Sequence, residues 1–216
     1  MAKAPPPNEQ RVVLSKVSWQ QFEKLLTELG EDRQTRLTYC RGKLEMMTPV
    51  EAHQRCSKLI DSLILVILDE LNAPVTPLSP VMLVQAELGY ATEPDACYYL
   101  EQCSAQSNLD LICEMPPDLL VEVALTHSNL DKLPIYAMLG LPEVWRYITR
   151  PGDEEMLKGQ LLIYHLQSDG YVEQPNSLAF PFLPANRVLE FMEQSDSIGL
   201  PAALKLLRAW VQEQLA

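Results

Sequence analysis

In SWQQFEKLLTEL the apolar residues fall at positions 19, 22, 25, 26 and 29. That is the spacing of one helix face, with Ser18 placed to cap the first turn and Gly30 to end the last. TRLTYCRGKLEMMTP (35–49) then predicts two short strands around an Arg41-Gly42 turn, closed by Pro49. From about Ala52 to Leu71 the helical period returns. Leu59, Ile60, Leu63, Ile64, Ile67, Leu68 and Leu71 form a broad apolar face, as expected of a helix laid on a sheet. PVTPLSPVMLVQAEL (74–88) and GYATEPDACYYL (89–100) each predict a strand, the second entered through Glu93-Pro94-Asp95. A polar stretch, EQCSAQSNLD, separates them from DLLVEVAL, which has the composition of a buried strand. NLDKLPIYAMLG (129–140) predicts a short helix with Pro134 near its start and Gly140 at its end. EVWRYIT (143–149), QLLIYHL (160–166) and GYVEQ (170–174) follow as strands, and ANRVLEFMEQ and LPAALKLLRAWVQEQL as two closing helices. The order predicts an α/β (α+β) fold: a mixed sheet flanked by helices, with an added N-terminal helix and hairpin and added C-terminal helices.

Length and composition narrow this picture. The chain has 216 residues, of which 1–12 read as a disordered proline-containing lead-in and 13–216 as one domain. LIDSLILVILDEL (59–71) is too short to span a bilayer and carries Asp61 and Asp69, so no membrane segment is expected. The N-terminus shows no apolar leader. Five cysteines occur without a CxxC pair, which suits a reduced, cytoplasmic protein and no zinc site of recognisable spacing. No glycine-rich phosphate loop and no internal repeat is present. A net charge of −12 counts against tight, non-specific binding of nucleic acid through the overall surface field.

Within DLLVEVAL one residue breaks the apolar pattern. A bare carboxylate at Glu122 would cost several kcal/mol unless it is paired, protonated or holding a cation. Side-chain alternation puts Glu122 and Ala124 on one face and Val121, Val123 and Leu125 on the other. Ala124 leaves a gap there, into which the long stem of Lys132 could bring an ammonium. Asp95 stands at the start of a strand after Pro94, where a carboxylate can point into a cleft. Two carboxylates with a neighbouring carbonyl, that of Val123, would make a hard oxygen shell suited to Mg²⁺. The ordinary alternative is a structural ion pair of Glu122 with Lys132 or an arginine, and turn chemistry for Asp95. Glu45 sits among apolar neighbours in KLEMM and His53 opens the long helix. An outward-facing strand residue and a capping histidine are their plain readings. Tyr136, one turn after Lys132, is a core residue or a brace for the lysine.

Taken together, GKLEMMTP followed by His53, then EPDACYYL, then PPDLLVEVALTHSNLDKLPIYAMLGLPEVWRY, resemble the Uma family of restriction-endonuclease-like proteins, over about Tyr39 to Tyr171. The resemblance implies the PD-(D/E)XK nuclease superfamily, with a four-stranded mixed sheet and a helix on either side. By position it implies Asp95 and Glu122 as the acidic pair and Mg²⁺ (or Mn²⁺) as the cofactor, held with the Val123 carbonyl. Ala124 stands where the superfamily lysine is usual. In the family that lysine is supplied from the following helix, which is Lys132 here. Glu45 and His53 match the earlier motif positions and join Asp95, Glu122 and Lys132 as candidate catalytic residues. The chain departs from the branch it resembles at Ala124 and at Gln54, where acidic residues are frequent, so its local negative charge is lower.

The expected function is therefore a Mg²⁺-dependent endonuclease acting on nucleic acid, with DNA as the expected substrate. The alternative is a weak or inactive nuclease fold that serves as a homo-oligomeric interaction or regulatory protein. The resemblance also implies a homodimer. Apolar residues in EVWRYIT, FPFL and the last helix (Leu204, Leu207, Trp210, Val211 and Leu215) would then meet a second copy or, alternatively, their own sheet.

Overall fold

The computed structural model describes residues 9–30, 33–78, 81–100, 116–125, 127–128, 130–149 and 158–216. These residues form eleven strands and five helices around two sheets. In chain order the strands are β1 (Gln10–Ser15), β2 (Arg36–Cys40), β3 (Lys43–Thr48), β4 (Thr76–Leu78), β5 (Leu83–Gln85), β6 (Tyr90–Thr92), β7 (Ala96–Tyr99), β8 (Leu119–Ala124), β9 (Glu143–Thr149), β10 (Gly159–Gln167) and β11 (Gly170–Gln174). The helices are α1 (Trp19–Leu29), α2 (Glu51–Glu70), α3 (Leu133–Met138), α4 (Ala185–Ser197) and α5 (Leu200–Leu215).

The first sheet is antiparallel, in the order β1-β3-β2-β6-β5. The second runs β11-β10-β9-β8-β7-β4 and is mixed, because β8 and β9 are parallel. Local chemistry accounts for several boundaries. Ser18 and Gln21 exchange side-chain and backbone bonds as a capping box, and Gly30 closes α1 at φ 70° by donating its N–H to the Leu26 carbonyl. Arg41 and Gly42 both take positive φ in the two-residue turn between β2 and β3, the geometry that matches strand twist.

Where the sequence predicts one strand over 74–88 and one over 89–100, the structure has two in each. β4 and β7 lie in the second sheet, β5 and β6 in the first. Glu93-Pro94-Asp95 is the crossing from β6 to β7. Proline has no N–H for a ladder, so pairing stops there and the chain changes sheets. The N-terminus also differs: β1 begins at Gln10, inside the stretch read as a lead-in, and Glu9 is buried. Residues 1–8 and the polar stretch after Leu100 lie outside the described residues. So does Asn129, and α3 starts later than its sequence pattern suggests.

Alternation gives each sheet two distinct faces. On the first, Leu37, Tyr39, Leu44 and Ala91 pack against Phe22 of α1. The registers Thr38↔Glu45, Thr38↔Thr92, Arg36↔Met47 and Arg11↔Met47 put Arg11, Arg36, Thr38, Glu45 and Thr92 on the other face. On the second sheet Leu119, Val121, Val123, Trp145 and Tyr147 join α2, α4 and α5 in the main core. Its opposite face carries Cys97, Leu120 and Val144 against Tyr136 of α3.

Many of the apolar residues offered for contact with a second copy pack within the chain, while Leu215 is 48% exposed. Ala203, Leu207 and Val211 of α5 are buried, and Trp210 meets Phe182 with ring centroids 5.9 Å apart. Full burial of Leu207 and Val211 is worth roughly 1.5–3 kcal/mol each, enough to seat α5 without another subunit. Cys40, Cys56 and Cys97 are free thiols. Among the described residues no helix is long and apolar enough to cross a membrane.

Candidate active site

Asp95 and Glu122 come together because β7 and β8 are antiparallel. The paired register ends at Ala96↔Val121; Asp95, the residue before β7, lies next to the Val121–Val123 stretch, and its charge and that of Glu122 both act on Cys97 and Tyr136. The Asp95 N–H donates to the Val121 carbonyl at 3.1 Å, and the Val123 N–H donates to Asp95 Oδ2 at 2.7 Å. Val121 and Val123 thus present their main-chain groups to the same edge, past the first residue of β7. The Val123 carbonyl faces that edge too.

Lys132, the N-cap of α3, donates its ammonium to Glu122 Oε1. The Tyr136 hydroxyl, one turn on, donates to Glu122 Oε2 at 2.8 Å. Burial, and then the neighbouring Glu122 charge, hold the Tyr136 pKa well above its usual value, so the phenol remains a donor. Glu122 is 6% exposed and Lys132 8%. The gap left by Ala124 is real: Ala124 and Lys132 line one cavity of about 10 Å³ with Arg11, Ser128 and Arg146, space on the scale of one water.

Asp95 is fully engaged on its other side. His53, in the first turn of α2, donates Nε2–H to Asp95 Oδ1 at 2.6 Å, and its Nδ1 bonds Glu9. Burial alone would lower the His53 pKa, but hydrogen bonds and charge from Asp95 and Glu9 raise it to about 9. Both ring nitrogens face carboxylates, so the ring is an imidazolium at neutral pH. Burial works against ionising Asp95. The His53 bond and charge, Arg36 and the Val123 N–H outweigh it and hold the carboxyl below its ordinary range. Arg36 lies 3.4 Å from Asp95 Oδ1 and donates to the Pro94 carbonyl at 3.1 Å.

Glu45 is set apart from this pair. Its carboxylate takes Arg11 at 2.9 Å and the Ser128 hydroxyl at 2.6 Å. Arg11 also holds Glu9, which holds His53, so Glu45 joins the rest through β1. Four carboxylates (Glu9, Glu45, Asp95, Glu122) meet four cations (Arg11, Arg36, His53, Lys132) in this network.

Sequence reasoning missed Glu9, Arg11, Arg36 and Ser128. Arg36 carried a signal, a charge inside the strand RLTYC. Glu9 carried none, since nothing in NEQRVV points at a histidine 44 positions away.

The donor set suits a hard divalent cation: two carboxylates on one face and a main-chain carbonyl at the same edge. Each carboxylate oxygen can accept two bonds, so the present partners leave coordinating capacity. Among the described residues no group of three or more His, Cys, Asp or Glu side chains is arranged to hold a metal ion. Any such shell would therefore need the carbonyl and water.

Comparison with known proteins agrees with this architecture. Residues 19–195 match the family model Uma2, described as "putative restriction endonuclease". A crystal structure from Anabaena variabilis, described as a "putative nuclease belonging to DUF820", superposes with a TM-score of 0.51. It is 15% identical, and the match covers 80% of this chain and 97% of that one; at this identity the likeness speaks for the fold alone. No curated protein matches the chain. The chain belongs to the Uma2 family.

Proposed function

We propose that this member of the Uma2 family is a divalent-cation-dependent endonuclease that hydrolyses phosphodiester bonds in DNA. One observation carries the reading: Asp95 is bonded to the main chain of Val121 and Val123, on either side of Glu122, while the Lys132 ammonium rests on Glu122. In this reading Asp95, Glu122 and the Val123 carbonyl hold Mg²⁺ or Mn²⁺. When bound, such an ion polarises the phosphoryl group and makes water a stronger nucleophile. Lys132 moves from Glu122 to the phosphate oxygens, where its charge offsets the negative charge that grows in the transition state. Tyr136 keeps Glu122 oriented, and His53 with Glu9 does the same for Asp95. Glu45, apart from this pair, is held by Arg11 and Ser128 and joins it through Glu9 and His53.

The test uses supercoiled plasmid and labelled single-stranded DNA with Mg²⁺ or Mn²⁺. Wild type is expected to cut, and Asp95→Asn, Glu122→Gln and Lys132→Met each to slow cutting by about a hundredfold or more. Mn²⁺ at a hundredfold excess over its Kd should raise Tm by about 5–10 °C. That rise should persist in Lys132→Met and vanish in Asp95→Asn.

A second reading, a nuclease fold kept as an interaction module, is favoured by the balance of four carboxylates against four cations. A site already neutral has less electrostatic need of a metal. Absence of cutting, together with a Tm that Mn²⁺ leaves unmoved, would overturn the first reading and leave the second.

A further inference from the structure

A second cavity, of about 230 Å³, lies on the Arg36 side of Asp95 and is lined by Arg33, Gln34, Thr35, Arg36 and Gln54. It has room for a group several waters in size. We infer that this cleft anchors a phosphate group of the nucleic-acid strand, next to the bond to be cut. The inference rests on the nuclease reading and adds where the strand is gripped.

Three observations support an anion there. The first is the pair of guanidinium groups. Both are largely buried, with side chains 12% and 18% exposed, and in both the Nε atom is buried without a partner. The terminal nitrogens are held by the Gly30 carbonyl and Glu93 for Arg33, and by the Pro94 carbonyl and Asp95 for Arg36, so each planar fork is fixed at the cleft and a phosphate oxygen would share its remaining N–H donors. The second is the end of α2. Pro49 and Gln54 line the cleft, so the first turn of a 20-residue helix stands at its wall, and its N-cap, Val50, offers no side-chain bond. The free N–H groups of such a turn favour negative charge. Third, the acidic groups nearby are turned away. Glu93 lines the wall, but one oxygen takes Arg33 and the other the Leu37 N–H at 2.7 Å. Asp95 holds Arg36 from the opposite side. Glu51, the acidic residue of the helix turn, is exposed and does not line the cleft.

The geometry also explains how a chain of charge −12 could hold DNA. Affinity would come from two arginines and a helix N-terminus gathered at one cleft, joined to the candidate site through the Arg36–Asp95 contact, not from the overall field.

The experiment measures binding of a fluorescein-labelled oligothymidylate by anisotropy, in EDTA so that no cutting occurs. Gln34 and Gln54 are exposed, so Gln34→Glu and Gln54→Glu place a negative charge at the cleft without removing an arginine or a core contact. Each is expected to weaken binding by about tenfold and to flatten the slope of log affinity against log salt by about 0.7, the value for one lost phosphate contact on a single strand. Gln167→Glu, an exposed position on the hairpin of β10 and β11, should change binding less than twofold. Equal binding by wild type and both cleft variants would overturn the inference. So would a wild type that fails to bind the oligonucleotide but gains phosphate-dependent Tm lost in Gln54→Glu, since the cleft would then be a site for free phosphate. The nuclease reading fails separately, through absence of cutting with Mn²⁺ by a protein that binds DNA normally.

Discussion

Two buried glutamates stand on adjacent strands of the same sheet, Glu122 on β8 and Glu143 on β9, and their surroundings differ in kind. Glu143 is fully buried. It accepts from the Trp145 indole at 2.7 Å, the Leu178 N–H at 2.9 Å and the Ala179 N–H at 2.8 Å. Those donors are neutral, and two belong to the main chain, so they cannot be exchanged without unfolding the segment after β11. Glu122 instead takes an ammonium on a flexible stem and a phenol, beside a cavity. The first carboxylate ties the 178–179 segment to the sheet. The second is bonded to groups that can leave and be replaced. Burial alone does not separate a structural carboxylate from a candidate ligand; the nature of its donors does.

The largest test of this contrast is Glu143→Ala. It leaves one buried and two partly buried donors without an acceptor, which should cost about 3–5 kcal/mol in urea unfolding. A loss under 1 kcal/mol would erase the distinction.

The acidic pair can be probed next through pH, in metal-free buffer. His53 has a folded pKa of about 9 against an unfolded value of 6.5. Because the folded value is the higher, the stabilisation is complete below pH 6.5 and is lost as pH rises through 9. About 3 kcal/mol should disappear across that window, and His53→Gln should flatten the profile. A wild-type curve that is level from pH 6.5 to 9.5 would mean that the two carboxylates do not hold an imidazolium.

The smallest effect is expected at the exchangeable pair itself. Glu122→Gln strands the Lys132 charge and should cost about 2 kcal/mol, discounted because the ammonium can reach solvent. Adding Lys132→Met should bring stability back to within about 1 kcal/mol of wild type, since removing both charges removes the penalty. Glu143 has no counterpart to such a rescue. If the double variant is less stable than the single one, Glu122 is as structural as Glu143.

Elements with local chemistry were readable in the sequence. Ser18 and Gly30 bound α1, and Arg41-Gly42 makes the hairpin, because both depend on residues within a few positions of each other. The strand of Glu122 was readable too, as was the face it shares with Ala124. The division of 74–88 and 89–100 between two sheets was not, since both halves of each run are apolar and the choice of sheet is made by distant partners. The site divides the same way. Asp95, Glu122, Lys132 and His53 were named from sequence and do lie together, whereas Arg36, which pairs with Asp95, and Glu9, which holds His53, were not. Glu9 and Arg36 are 86 and 59 positions before Asp95 in sequence, and only the pairing of β1 with β3 and β2 with β6 brings them near.

The crossing at Glu93-Pro94-Asp95 has a consequence for the order of events during synthesis. Residues on the first sheet, from Glu9 to Thr92, leave the ribosome before any strand of the partner sheet except β4. Helix α2, which carries His53, must then wait with its apolar face partly uncovered until α4 and α5 are made. At ordinary elongation rates that interval is roughly ten seconds. A nascent chain that has not yet reached β8 therefore holds Glu9, Glu45 and His53 without Glu122 and Lys132, and the main core stays open until α4 and α5 have emerged.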